Sequence, residues 1–333
     1  MNSLYVIEPG SFMKIRGETL RIEKDGTLIQ EIPAAHLKRL TLAGRCSMTG
    51  AVLDFLIERR IETVFMTLSG RFRARLLLDA PGHVRLRQLQ YNKLSDPKFC
   101  KSTASIIVRN KIGNQRALLM KRGGGKRNSR IAKLCVQLKA LEKRAGIPGE
   151  LNELRGIEGI ASRTFYQGYA TLIKNPSFSF TGRNRRPPKD PVNALLSFVY
   201  TLFTNEVSNA IKASGLDPYL GALHEPASGR PSLACDMVEE WRALAESFVL
   251  TIINKRMVVP EDFIKTGGED RPVTMAPPFV RALIKAYEKL MDRQISWDGN
   301  LLAIRWAIHN RVRDFIDYLR HPEKGWAKRR LPL

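Results

Sequence analysis

Four side chains of this 333-residue chain have the chemistry of a divalent-metal site: Glu158, His224, Asp236 and Glu239. Carboxylate oxygens and an imidazole nitrogen can together bind a metal ion. A bound ion polarises a phosphodiester and activates the oxygen that attacks it. Their use as one site depends on the elements that carry them.

Glu158 lies in a segment, 149–173, whose apolar residues recur at helical spacing. Residues three and four positions apart, which share one face of a helix, are all apolar or small except for one glutamate: Leu151, Leu154, Glu158, Ala161, Phe165, Gly168 and Leu172. A buried carboxylate needs a partner charge, a proton or a metal ion. Taken alone, this position favours a structural ion pair with Arg155 or Arg163 slightly over a metal ligand.

Asp236 and Glu239 lie near the start of a second predicted helix, 232–253, which Ser232 can cap. With Glu240 they place three acids on neighbouring turns, where like charges repel unless a cation lies between them. Acids also favour the first turn of any helix because of the helix dipole. The acidic pattern alone therefore leaves both explanations open.

His224 follows a turn at 216–221, just upstream of that helix. A single histidine in such a segment is more often packed against the backbone than bound to a metal ion. If it joins the acids, the site is rich in oxygen and suits Mg²⁺ or Mn²⁺ better than Zn²⁺. The chemistry would then be attack on a phosphodiester by water or by a DNA 3′-hydroxyl.

The chain is strongly basic, because 55 Lys and Arg against 32 Asp and Glu give a net charge of +23. Such a field favours polyanions, and nucleic acid is a better candidate than a membrane because no lipidation signal or amphipathic anchor is present. Basic loops occur at 121–130, 181–189 and 324–330. We expect phosphate contacts independent of base sequence, with these candidates: Arg163, Arg183, Arg185, Arg186 and Arg230.

Hydrophobic patterning predicts an α+β fold with two domains. A small β-rich N-terminal domain, 1–80, is followed by a linker, 81–95, and a larger all-helical C-terminal catalytic domain, 96–333. The first domain contains one helix, 50–59, and its Asp25-Gly26 dipeptide predicts a hairpin. Helical spacing predicts seven further helices: 98–120, 129–144, 149–173, 191–214, 232–253, 276–295 and 299–319.

Cysteine spacing and hydropathy exclude several protein classes. The four cysteines form no C-x-x-C pair, so neither a zinc knuckle nor a disulfide framework is supported. The first residues lack the features of a signal peptide, and no run of about eighteen apolar residues could span a membrane. We expect a cytoplasmic protein.

Several motifs, in this order and spacing, resemble one family, the CRISPR-associated integrases of spacer acquisition (Cas1). The resemblance extends over essentially the whole chain and implies the same fold, a β domain followed by a helical domain. The motifs are Leu4-Tyr5-Val6, Glu23-Lys24-Asp25-Gly26, Lys111-Ile112 with Asn114-Gln115-Arg116, Gly156-Ile157-Glu158-Gly159, Pro191-Val192-Asn193, Gly215-Leu216-Asp217-Pro218-Tyr219, and Ser232-Leu233 through Glu239-Glu240-Trp241-Arg242.

The resemblance implies that Glu158, His224 and Glu239 bind a divalent ion, Mg²⁺ or Mn²⁺, and that Asp236 supports them in the catalytic site. It implies a homodimer, with dimerisation through the N-terminal domain, that joins a second small CRISPR-associated protein, Cas2. The implied reaction is transesterification, in which the 3′-hydroxyl of a short double-stranded DNA attacks the CRISPR repeat boundary. Nuclease activity is the hydrolytic version of this chemistry.

Two other functions remain open from the sequence. A metal-dependent nuclease of branched or repair DNA would use the same residues for hydrolysis, without a dedicated partner. A non-catalytic basic scaffold would bind DNA with an affinity that falls with salt but does not depend on metal ions or on the carboxylates. Tyr166 receives no direct role, because the order Phe165-Tyr166 differs from the family, where the tyrosine often comes first.

Overall fold

The structure, a computed structural model, describes residues 3–35, 37–67, 72–76, 83–147, 149–184, 187–225, 227, 229–265, 273–327, 329–331 and 333. Among the helices in these ranges, none is long and apolar enough to cross a membrane.

The N-terminal part contains two four-stranded sheets and one helix. The strands are β1 (Ser3–Val6), β2 (Phe12–Arg16), β3 (Thr19–Lys24), β4 (Thr27–Pro33), β5 (Arg39–Ala43), β6 (Ser47–Met48), β7 (Glu62–Met66) and β8 (Phe72–Leu76), and the helix is α1 (Gly50–Glu58). One sheet has the order β1-β5-β7-β8 and is parallel except at β8. The other has the order β4-β3-β2-β6 and is antiparallel except between β2 and β6.

Alternating side chains give these sheets one buried face. In β3 the inward positions are apolar, as period-two burial requires. Their neighbours from β5 and α1 complete a small core that includes Leu20, Ile22, Leu40, Leu42, Val52 and Leu56. Asp25 and Gly26 have φ values of 49° and 78°, the positive values that a tight turn between right-twisted strands needs. The predicted β3–β4 hairpin is confirmed.

The remainder of the chain is mostly helical, as predicted. Its helices are α2 (Val84–Ser95), α3 (Pro97–Arg122), α4 (Ser129–Ala145), α5 (Leu151–Leu172), α6 (Pro191–Ala213), α7 (Ser232–Val238), α8 (Arg242–Asn254), α9 (Pro277–Met291) and α10 (Ile304–Arg320). Asp96 and Asp190 cap α3 and α6, and each precedes a proline at the first helical position. The 26-residue α3 packs against α4, α5 and α8, so it forms the axis of the helical part.

The prediction of an all-helical C-terminal part is wrong. Two hairpins interrupt it, one formed by β9 (Phe263–Lys265) and β10 (Val273–Met275), the other by β11 (Gln294–Trp297) and β12 (Asn300–Ala303). Asp298 and Gly299, with φ values of 51° and 81°, form the turn between β11 and β12. This is the same Asp-Gly signal as in the N-terminal hairpin, and the helical spacing on both sides concealed it.

The predicted helix 232–253 is also broken. It consists of α7, a 3₁₀ turn (Glu239–Trp241) and α8. The tighter turn accompanies long-range contacts: Glu240 binds Arg311, and Trp241 stacks on Trp297 with ring centroids 5.9 Å apart. The stretch predicted as a linker contains α2, and the two-domain division itself stays a prediction.

A buried ion network joins the N-terminal sheet to the helical part. Glu206 of α6 accepts hydrogen bonds from Arg39 of β5 at 2.7 Å and from Arg305 of α10 at 2.9 Å. Arg305 also donates to Glu288 of α9 at 2.8 Å, and Glu288 accepts from the Tyr5 hydroxyl at 2.9 Å. One carboxylate thus connects a strand with two helices, and it is only 5% exposed.

Replacing Glu206 tests this connection. Glu206→Gln leaves two guanidinium groups facing a neutral amide in a buried place, so we expect the free energy of unfolding to fall by about 3 kcal/mol. Urea unfolding measures the change. The control is Glu18→Gln, which breaks an exposed pair with Arg59 and should cost at most about 1 kcal/mol. Equal effects of the two substitutions would contradict a structural role of the network.

Candidate functional site

Three elements bring the predicted acids and histidine to one cavity. Glu158 lies in the middle of α5, Glu239 begins the 3₁₀ turn after α7, and His224 lies in the loop before α7. All three line a cavity of about 310 Å³, together with Arg155, Leu223, Glu225 and Arg230. The tertiary fold therefore brings together residues from distant parts of the sequence, as a metal site requires.

Lys111 of α3 lies between the two carboxylates. Its ammonium contacts Glu158 Oε1 and lies 2.6 Å from Glu239 Oε2, while its side chain is only 3% exposed. Ser162, one turn along α5, donates a 2.8 Å hydrogen bond to Glu158. Burial opposes ionisation of Glu158, but the charge of Lys111 and the hydrogen bonds from Lys111 and Ser162 together outweigh it and lower the pKa of that carboxyl.

Glu239 has a second cationic neighbour, Arg242, whose Nε lies 2.7 Å from the same Oε2 atom. Burial again opposes ionisation, yet Arg242 and Lys111 lower the pKa of Glu239 well below its usual value. Among the described residues, no donor is aligned well enough to give Oε2 a hydrogen bond. Two buried cations therefore already hold this oxygen, and a metal ion could bind it only if their contacts rearranged.

Glu240 does not line the cavity and instead forms a buried ion pair. Both of its carboxylate oxygens accept hydrogen bonds of 2.6 Å from Arg311, which is fully buried. Asn110 of α3 donates to the same carboxylate. The neighbouring acids Glu239 and Glu240 thus have different roles. Glu239 lines the cavity, whereas Glu240 forms a buried ion pair with Arg311.

Asp236 positions His224 rather than facing the cavity. Its carboxylate accepts backbone hydrogen bonds from Ala222, Leu223 and His224 at 2.5 to 3.0 Å, and it lies 2.7 Å from His224 Nδ1. The side chain is completely buried. Because Nδ1 is engaged, Nε2 is the nitrogen that can bind a ligand. A side chain at position 221 would clash with the Asp236 carboxylate, because its Cβ would lie too close to Oδ2. Glycine at this position therefore lets Asp236 reach the three backbone amides.

The donor set fits a hard divalent ion such as Mg²⁺ or Mn²⁺. Two carboxylates and one imidazole face the cavity, and the Lys111 ammonium already stands between the carboxylates as a cation. As arranged, the described part of the chain holds no group of three or more His, Cys, Asp or Glu that could bind an ion directly. Binding would therefore require Lys111 to give way or the carboxylates to rotate.

A second cavity, of about 400 Å³, shares Glu158 with the first. Its lining includes two of the predicted DNA-binding residues, Arg163 and Arg183, along with Gly159 and Ser162. Glu158 therefore marks the boundary between two open cavities that both carry arginine side chains.

Comparison with known proteins places the chain in a family. The family described as CRISPR associated protein Cas1 matches residues 4–289. The chain belongs to the Cas1 family. It is 36% identical over 276 residues to the CRISPR-associated endonuclease Cas1 1 of Moorella thermoacetica, which covers 80% of each chain. It is 31% identical to the protein of the same name from Chlorobaculum tepidum over 96% of this chain and 95% of the relative.

Solved structures share the Cas1 fold. A Cas1 protein from Thermotoga maritima superposes with a TM-score of 0.83 at 23% identity, over 96% of this chain and 97% of the other. A casposase bound to an integration product superposes with a TM-score of 0.81 at 22% identity, over 97% of this chain and 91% of the other. These likenesses show that the mixed fold, a β-rich start and a mostly helical remainder, is that of Cas1 proteins.

The predicted DNA-binding residues of this Cas1 chain differ in their surroundings. Arg163 and Arg230 are exposed at the two cavities. The guanidinium of Arg183 instead donates to Asn193 Oδ1 at 2.7 Å and to Ser197 Oγ at 2.9 Å, and it faces the Tyr200 ring. Arg185 and Arg186 lie outside the described residues.

Tyr166 is buried, and its hydroxyl bonds within a core network that includes none of the proposed metal ligands. It lies 2.8 Å from the Tyr200 hydroxyl, and Tyr200 donates to Glu246 at 2.7 Å. Gln115 of α3 donates to the same carboxylate at 2.9 Å. Burial raises the pKa of Tyr166 above its usual value, which suits a hydrogen-bond donor in the core.

Lys111, which contacts both cavity carboxylates, is a residue of the site to which the sequence predictions gave no role. Steps of four and three along α3 place it and one glutamine in an otherwise apolar seam, all buried: Ala104, Val108, Lys111, Gln115 and Leu118. A lysine in the middle of such a seam is the same signal that identified Glu158. Two opposite charges in the seams of two predicted helices could have been paired from the sequence.

The Asp236 contact predicts the tautomer of His224. Since Asp236 can only accept, His224 should carry its proton on Nδ1, and nitrogen NMR of the imidazole should show this. Asp236→Asn presents an NH₂ group to backbone donors, so we expect a loss of about 2 kcal/mol in stability and of the fixed tautomer. Asp96→Asn, at an exposed helix cap where both residues serve equally, is the control. An unchanged tautomer in Asp236→Asn would refute the positioning role.

Proposed function

We propose that this Cas1-family protein is a divalent-metal-dependent DNA integrase and endonuclease of CRISPR adaptation. The observation that carries the proposal is the convergence of Glu158, His224 and Glu239 on one cavity in a chain with a net charge of +23. The relatives named as Cas1 endonucleases and the casposase with its integration product support the same chemistry. DNA is therefore both the substrate and the main partner.

Glu158, His224 and Glu239 would hold Mg²⁺ or Mn²⁺. Such an ion polarises a phosphodiester and helps to activate the attacking oxygen. Asp236 keeps the imidazole oriented, and Arg242 stabilises the ionised form of Glu239. In strand joining, the 3′-hydroxyl of a short DNA attacks a phosphodiester, and the bond to the displaced 3′-oxygen breaks. The number of phosphodiester bonds is then unchanged.

The surface beside Glu158 allows a DNA backbone to approach closely. Gly156 and Gly159 flank it on the exposed side of α5, and a Cβ at either position would meet no atom within 4 Å. Arg230 lines one cavity and Arg163 the other, so cationic side chains lie on both sides of the carboxylate. We propose that a DNA strand passes across this glycine surface, with its phosphates bound by the arginines.

Hydrolysis is the second candidate reaction, because the relatives from Moorella and Chlorobaculum are named endonucleases. Water in place of the 3′-hydroxyl gives cleavage without joining. A joining assay with a free 3′-hydroxyl donor separates the two reactions. Cleavage products alone, even with a Cas2 protein added, would favour the hydrolytic nuclease.

We further propose that the protein acts as a homodimer together with a small Cas2 protein. One structure with the same fold, at a TM-score of 0.84 and 22% identity, is a Cas6-RT-Cas1–Cas2 complex. A dimer would place two cavities of this kind at the two ends of one short DNA, as the joining of both 3′-hydroxyls requires.

The metal-site assignment predicts which substitutions abolish activity. Glu158→Gln and His224→Ala should each lower Mn²⁺-dependent strand joining by roughly 100-fold or more, because each removes one proposed ligand. The control is Glu153→Gln on the same helix, where an exposed carboxylate pairs with Arg144. It should retain normal joining. Wild-type joining by either site variant would show that the metal assignment is wrong.

Arg163 of α5 and Arg183 of the following loop line the same cavity, but we expect their replacement to change different properties. Arg163→Gln should weaken binding to all DNA sequences alike and reduce the slope of log affinity against log salt by about 1. Arg183→Gln should chiefly lower stability, by about 1–3 kcal/mol, because it removes the hydrogen bonds to Asn193 and Ser197 and the contact with the Tyr200 ring. Fluorescence anisotropy at several salt concentrations and urea unfolding measure the two quantities. The reverse pattern would remove Arg163 from the proposed DNA surface.

A further inference from the structure

The charges around the cavity are already balanced before any ion binds. Glu158 and Glu239 carry two negative charges, and Lys111 and Arg242 supply two positive ones within contact distance. The charge of Asp236 is directed to three backbone amides and to Nδ1 of His224. At the cavity rim, Arg155 pairs with Glu225, whose Oε1 lies 2.6 Å from Nη1, and Arg230 adds one further positive charge.

Lys111 reaches this position from a different helix. Its ammonium is almost fully enclosed between the two carboxylates, which approach each other because it lies between them. Without a cation there, two buried like charges would repel and their burial would be strongly unfavourable. Lys111 thus performs in the ion-free protein the electrostatic function that a divalent ion would perform in the loaded one.

We infer that Lys111 is the resident cation of the site and makes divalent-ion binding depend on the arrival of a DNA phosphate. The inference rests on the proposed metal and DNA functions. A divalent ion alone would leave the cavity with two excess positive charges in a largely buried place. Phosphate groups of a bound strand restore the balance, so ion and DNA each strengthen the binding of the other.

This coupling has a functional consequence. A metal-loaded site without correctly placed DNA could cleave any phosphodiester that reached it. Because the ion and the DNA phosphate are favoured together, the reactive arrangement forms mainly on a bound substrate. Lys111 is therefore a positioning residue that also couples the binding of the ion to the binding of DNA.

The test measures Mn²⁺ affinity directly, from the EPR signal of free Mn²⁺. Titrations are made with and without a short duplex whose 3′ ends are dideoxy, so that no reaction occurs. Binding of Mn²⁺ to the duplex alone is subtracted. In the wild-type protein we expect the duplex to tighten Mn²⁺ binding by at least about tenfold, which corresponds to about 1.4 kcal/mol.

Lys111→Met should bind Mn²⁺ at least about tenfold more tightly than the wild type in the absence of DNA, because the competing charge is gone. The enhancement by DNA should be correspondingly smaller. Lys111→Arg keeps the charge and should retain the wild-type enhancement. The matched control is Lys101→Met on the same helix, where the lysine pairs with the exposed Glu150. It should leave both affinities unchanged.

The outcomes separate this inference from the proposed function. If Mn²⁺ binding is the same in His224→Ala as in the wild type, the metal site itself is wrong. If binding depends on His224 but Lys111→Met shows no tighter binding without DNA, only the role of Lys111 is overturned. If Lys111→Met does not fold, two other results would overturn the inference. One is a wild-type protein whose Mn²⁺ affinity the duplex does not change. The other is a Lys111→Arg variant in which the duplex no longer tightens Mn²⁺ binding.

Discussion

Two carboxylates from different helices share one buried cation, and much of the helical part is arranged around this contact. The ammonium of Lys111 comes from α3, Glu158 from α5, and Glu239 from the 3₁₀ turn between α7 and α8. Two carboxylates that both stay ionised can approach in a buried place only with a cation between them. The long α3 helix therefore has to pass directly beneath the cavity.

Other polar groups of α3 fix the same elements at greater depth. Asn114 donates to the backbone oxygen of Glu240 at 3.2 Å, and Gln115 donates to Glu246 of α8. Arg311 holds the Glu240 carboxylate and lies under the Trp326 ring, with its guanidinium carbon 4.2 Å from the ring centroid. A buried polar group without a partner costs more than a made hydrogen bond gains, so each of these contacts restricts the 3₁₀ turn. The position of Glu239 follows from them.

The site combines strong local charge balance with a strongly positive protein. The net charge of +23 attracts a polyanion from a distance, whereas the cavity carboxylates lie in matched contacts with Lys111 and Arg242. The exposed glycines beside Glu158 leave room for a backbone to approach. Membership of the Cas1 family, whose relatives from Moorella and Chlorobaculum are named endonucleases, agrees with this charge distribution.

Local sequence signals determined much of the fold. Period-two and helical spacing, Asp-Pro helix starts and the Asp25-Gly26 turn are properties of neighbouring residues, so the β-rich start and most helices could be predicted. The same local reasoning merged the β11–β12 hairpin with helices, because its Asp298-Gly299 turn lies between two stretches of helical spacing. The resemblance of their surroundings to the motifs of the Cas1 family nominated Glu158, His224 and Glu239 as a group, which no one of the three positions did alone.

Only the tertiary structure decided what each charged residue contacts. The sequence offered Arg155 or Arg163 as partners of Glu158, but Lys111, 47 residues away, pairs with it, and Arg155 donates to the Leu223 carbonyl instead. Glu239 and Glu240 are neighbours in the chain, yet one faces the cavity and the other a buried arginine. The reason is physical: helix and strand preferences act over a few residues, whereas a buried charge is paired by whichever opposite charge the packing of distant helices brings within reach.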